Sequence, residues 1–171
     1  IDATSEYRTL NASNTEHFHL GSPIHKSADS KEVCIPPTDF IESDFIAMFD
    51  PAGKVQGPKL REAIKSLRLA KLNPDIFPEG YVPKIRQSKD DYRQAMKAHG
   101  SAKLVDDPSQ PFDTSKLIKQ IQQECCYPDY NGEGKWGNED GNSVSFCSSL
   151  FTRILGVLHS DSLKSVFNTS P

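Results

Sequence analysis

Along residues 1–37, single hydrophobics (Tyr7, Leu10, Phe18, Leu20 and Ile24) stand among Ser, Thr, Asn and His with no sustained period of two or 3.6. Such a stretch buries too little apolar area to offset its ordering entropy. It is expected to form an extended arm lying along a partner or over the chain's own helices. From Thr38 the pattern changes. Phe40, Ile41, Phe45, Ile46 and Phe49 recur at helical spacing, behind Thr38 or Asp39 as an N-cap. The breakers from Asp50 to Pro58 predict a turn, closed by Gly57. Pro58 then opens a helix whose apolar stripe is Leu60, Ala63, Ile64 and Leu67.

Downstream, Asn73-Pro74, Pro78-Glu79-Gly80 and Pro83 mark a loop pinned by Ile76, Phe77, Tyr81, Val82 and Ile85. Ser88 with Asp91 predicts the start of a short helix that Gly100 closes. Residues 101–112, with Asp106-Asp107-Pro108 and Pro111, predict a linker and a domain boundary. Leu117, Ile118, Ile121 and Cys125 then form a helical stripe, capped by Asp113 or Thr114 and stopped by Pro128. A polar, glycine-rich loop over 129–142 follows. After it, Ser143 is expected to cap a helix that buries Cys147, Leu150, Phe151, Ile154, Leu155 and Leu158, and Asp161 a last short helix with Leu163, Val166 and Phe167. Strand-like alternation is nearly absent. The fold class is therefore all-α with long loops: an arm (1–37), a helical unit (38–100), a linker (101–112) and a second helical unit (113–171).

Composition narrows the function. Hydrophobic residues make up 36% of the chain and mean hydropathy is -0.56, so part of it packs no core of its own. No run approaches the about 20 apolar residues of a helical membrane span. Twenty Lys and Arg against 23 Asp and Glu leave a net charge of -3, with no basic block, and a nucleic-acid partner is not expected. Cys34, Cys125, Cys126 and Cys147 are an adjacent pair plus two distant singles, which lacks the spacing of a disulfide scaffold. Reduced thiols and a cytoplasmic location are expected. The sequons Asn11-Ala12-Ser13 and Asn168-Thr169-Ser170 keep a secreted, disulfide-containing glycoprotein or effector as the alternative.

Helix, short loop, helix is the layout of an EF-hand, and the apolar frame from Phe45 to Leu69 resembles that family. Phe49 precedes the loop's first residue, Asp50. Gly53 falls where the sharp-turn glycine belongs, Val55 at the central hydrophobic, and Leu60, Ala63, Ile64 and Leu67 at the exiting-helix spacing. The alignment shortens the loop before Gly53 and puts Lys59 where the last, bidentate acid belongs. The resemblance therefore implies a degenerate, calcium-independent hand. In it Phe45, Phe49, Ile64 and Leu67 line an apolar groove for a protein partner, either a helix or a larger assembly. It is also loosely similar to small ciliary and flagellar EF-hand proteins, which implies a place in a cytoskeletal or axonemal structure.

EF-hands usually come in pairs, and the second loop carries Asp129, Asn131 and Glu133 at first, third and fifth positions, Gly134 at the sixth, Trp136 at the eighth and Asp140 at the twelfth. Pro128 and Gly141 flank it awkwardly. No cofactor is expected, with calcium held by Asp129, Asn131, Glu133 and Asp140 as the alternative, which would make the chain a sensor. His17, His19 and His25 have no companion Cys or acid suitably close to complete a zinc site, and Cys147 with His159 has no recognisable activating third residue. There is no phosphate loop, dinucleotide fingerprint, Gly-x-Ser-x-Gly or His-Glu-x-x-His. An enzyme is not expected.

Overall fold

A computed structural model describes residues 14–19, 29–33, 40–129, 132 and 134–160. The first described pieces pair as a short parallel ribbon, β1 (Phe18–His19) with β2 (Lys31–Glu32), in register Phe18 to Lys31. The helices are α1 (Glu42–Phe49), α2 (Gly53–Leu72), α3 (Asp90–Lys97), α4 (Ser101–Leu104), α5 (Leu117–Glu124) and α6 (Gly141–Leu158). The described chain is mostly helical. The predicted caps Thr38 and Asp39, and the last short helix with Leu163, Val166 and Phe167, lie outside the described residues.

α1 begins at Ile41, whose N–H donates to Asp44 Oδ2 at 2.9 Å, so an acid one turn in satisfies a donor the helix leaves open. Asp50 ends it with φ 42, a left-handed conformation that a short polar side chain tolerates. The turn predicted over 50–58 is far shorter. α2 starts at Gly53, whose φ of +68 favours glycine, and Val55, Gln56, Gly57 and Pro58 are all helical. Pro58 sits inside the helix and gives no N–H to the Lys54 carbonyl. Tertiary hydrogen bonds from Gln56 hold this turn against the local preference.

α2 organises the molecule because twenty residues, about 30 Å of helix, reach both apolar clusters. Its first part buries Leu60, Ala63, Ile64 and Leu67 with Phe45 and Phe49 of α1, Phe112 of the segment before α5, Leu117 and Ile121 of α5, and Leu150 and Ile154 of α6. Its last turns bury Leu69 and Ala70 with Phe77, Val82, Ala95 and Val105. α5 lies along α2, and α6 packs on both α1 and α2. Each such Leu, Ile, Val or Phe side chain contributes roughly 1.5 to 3 kcal/mol when fully buried.

The expected linker over 101–112 has no counterpart in the packing. Val105 belongs to one cluster and Phe112 to the other, and the Phe45 and Phe112 rings lie 5.1 Å apart. The described residues of α1 and α2 thus share a hydrophobic core with those of α5 and α6. Arg68, 1% exposed on α2, fastens the segment: its guanidinium donates to the carbonyls of Val105, Pro108 and Gln110 at 3.2 to 3.3 Å. Asp113 is a cap as predicted, accepting from Ser115 N–H at 2.9 Å, though through a 3-10 turn that precedes α5.

Candidate functional site

The first region to test is the α1–α2 turn. Phe45, Phe49 and Ile64 are 0% exposed and Leu67 is 1% exposed, so what covers the expected groove is the chain's own Phe112, α5 and α6. A partner helix has no access to these four side chains while α6 is in place.

Above them, the turn is held by hydrogen bonds. Arg153 of α6 donates from Nε to the Phe49 carbonyl at 2.8 Å and from Nη2 to Gln56 Oε1 at 2.7 Å. The same Gln56 oxygen accepts from Ala52 N–H at 2.8 Å, and its Nε2 donates to the Phe146 carbonyl and Ser149 Oγ at 2.7 and 2.9 Å. Both Gln56 donors and both acceptor directions are used, which is what allows an amide to be 5% exposed. A guanidinium thus neutralises the carbonyl end of α1.

The second region is the excursion between α5 and α6. It is a hairpin rather than an open loop: Tyr127 N–H donates to the Asn138 carbonyl, Gly137 N–H to the Tyr127 carbonyl, and Asp140 N–H to the Cys125 carbonyl, each at 2.9 Å. Gly137 has to be glycine here, because a Cβ would come within 2.9 Å of Tyr127 Cβ. Residues 86–89 join its outer edge, with Trp136 N–H on the Gln87 carbonyl and Lys89 N–H on the Gly134 carbonyl.

Two of the four residues expected to bind calcium can be placed. Asp129 accepts from Gly134 N–H at 2.8 Å and pairs with Lys89 at 3.8 Å. Asp140 is the N-cap of α6, displacing the predicted Ser143: Oδ1 accepts from Asn142 and Ser143 N–H, and Oδ2 from Ser143 Oγ at 2.6 Å. The Ser143 hydroxyl is the main reason its carboxyl is held below the ordinary aspartate value. Asn131 and Glu133 lie outside the described residues. Among the described residues no group of three or more His, Cys, Asp or Glu is arranged to hold a metal ion.

Beneath the hairpin lies a polar cluster that the sequence reading missed. Lys84 and Glu124 form an ion pair of 2.6 Å with side chains 7% and 6% exposed. Glu124 Oε1 also accepts from Ser66 Oγ at 2.7 Å and from Gln120 Nε2 at 3.0 Å, and Lys59 Nζ donates to its backbone carbonyl. The Lys84 ammonium lies 5.4 Å from the ring centres of both Tyr92 and Trp136, which meet edge to face. Burial pushes the Tyr92 hydroxyl above its ordinary pKa. Gln120 exchanges hydrogen bonds with both backbone groups of Val82, and Gln123 accepts from Lys84 and Ile85 N–H. Removing one member of such a pair costs about 3 to 5 kcal/mol, because the other stays buried and charged. The only local signal was the run Gln120, Gln123 and Glu124 alongside the apolar stripe of α5.

Set against protein-family models, curated proteins and solved structures, the chain matches nothing in any of the three comparisons.

Proposed function

We propose that the chain is a non-enzymatic, calcium-independent helical module for protein assembly, with α1 and α2 as a degenerate EF-hand-like pair kept shut by α6. The observation that carries the reading is the Arg153 guanidinium on the Phe49 carbonyl and Gln56, a fixed side-chain cation beside the turn where a hand would present oxygens to an ion. Phe45, Phe49, Ile64 and Leu67 set the shape of the pair from inside, and α6 serves as their internal partner helix. An external protein then meets the assembled surface, where Phe146 and Leu155 of α6 stay 62% and 46% exposed.

The test has two parts. Calorimetric titration of calcium, with Trp136 fluorescence and thermal melts in calcium and in chelator, should give no saturable heat and superposable curves. Saturable binding lost in Asp129→Ala would replace the proposal with a calcium sensor acting through the hairpin. A photo-crosslinking side chain at position 146 should capture a protein in the native cell that one at position 97 does not. Equal capture, or none, would remove the assembly role.

A further inference from the structure

Two cysteines lie buried in the main core among the described residues. Cys125 ends α5 as its C-cap and Cys147 lies on the buried face of α6; both are 0% exposed, both are free thiols, and their Sγ atoms are 4.0 Å apart. The backbone is already tied at this level by the Asp140 N–H on the Cys125 carbonyl and the antiparallel bridge between Cys126 and Glu139. A disulfide requires sulfurs about 2.05 Å apart, a closure of about 2 Å from their present separation.

We propose that Cys125 and Cys147 form a redox-closable staple joining the end of α5 to α6 when the protein meets a disulfide oxidant of the glutathione disulfide class. One protein thiolate attacks the oxidant and expels a small thiolate, forming a mixed disulfide. The other protein thiolate then attacks the protein sulfur of that intermediate and expels the second. The oxidant's S–S bond is broken, the Cys125–Cys147 bond is formed, and the two protein protons leave on the two released small thiols.

The staple acts on the helix that carries Arg153 and Ser149 to the α1–α2 turn, so closing it holds α6 over Phe45, Phe49, Ile64 and Leu67. It closes a loop of 22 residue steps, which restricts the opened chain. Burial pushes the Cys125 thiol up to about 12, so thiolate is scarce in the closed fold and bond formation proceeds through transient opening of α6.

The experiment incubates the full chain with glutathione disulfide or with reductant, alkylates it in denaturant and maps its tryptic peptides. The expected product links peptide 120–135 to peptide 136–153. It forms equally in Cys126→Ser, which leaves Cys125 as the only cysteine of the first peptide, and is absent from Cys147→Ala. Amide exchange across α6 should slow by about tenfold or more in the oxidised wild type. Free thiols at both positions after prolonged oxidation in mild denaturant, glutathione adducts without linkage, or linkage lost in Cys126→Ser would each overturn the proposal.

Discussion

The α1–α2 turn and the α5–α6 hairpin occupy equivalent places between helices, yet they are held in opposite ways. The first is closed by a cation from elsewhere, Arg153 reaching the Phe49 carbonyl at 2.8 Å. The second keeps acids at both ends and spends them on its own backbone, Asp129 on Gly134 N–H and Asp140 on the first turn of α6. Counting carboxylates along a loop does not show which of their oxygens are already engaged. What each oxygen already accepts decides how much capacity is left over.

Three perturbations separate the two regions. The largest effect is expected from Phe49→Ala, which empties the space beneath the first turn and should lower stability by about 3 to 5 kcal/mol in chemical denaturation. A loss below about 1 kcal/mol would mean that the turn is held without its core. Next comes Arg153→Met, which keeps the stem and removes the charged donors. It should cost about 1 to 3 kcal/mol, and protection from amide exchange should fall at 50–56 while the hairpin over 126–139 stays unchanged. Equal loosening of both regions would break the distinction.

The smallest effect belongs to Asp140. Its carboxyl is held below the ordinary aspartate value chiefly by the Ser143 hydroxyl, so it contributes stability that is present above the unfolded-state value of about 4 and lost as pH falls through the lower folded value. Asp140→Asn should flatten the acid limb of a melting-temperature profile in that window and leave neutral pH nearly unaffected, since Asn also caps well. An unchanged acid limb would show that folding does not lower the Asp140 pKa.

Much of this architecture was legible along the chain. The stripes Phe45 and Phe49, Leu60, Ala63, Ile64 and Leu67, Leu117 and Ile121, and Leu150 and Ile154 are the buried faces, because periodicity reports burial directly. The start of α2 was not legible: Gly57-Pro58 reads as a break, and only Gln56 and Arg153, far apart in sequence, show why the helix runs through it. Lys84 and Glu124 escaped notice for the same reason, their pairing spanning 40 positions. At the candidate calcium loop, spacing alone did not show that Asp129 and Asp140 accept backbone N–H groups. The Cys125–Cys147 proximity was hidden too, since a helix end and a helix middle become neighbours only when α5 and α6 fold back across the hairpin.

Arg68 grips the segment after α4 only through carbonyl oxygens, which every amino acid presents alike. These hydrogen bonds are therefore indifferent to side-chain identity at the exposed Pro108 and Ser109. The path of this stretch is inherited from a residue in another helix, while its outward chemistry is free to drift, and a surface that can be rewritten without moving the backbone beneath it is open to being fitted to new neighbours.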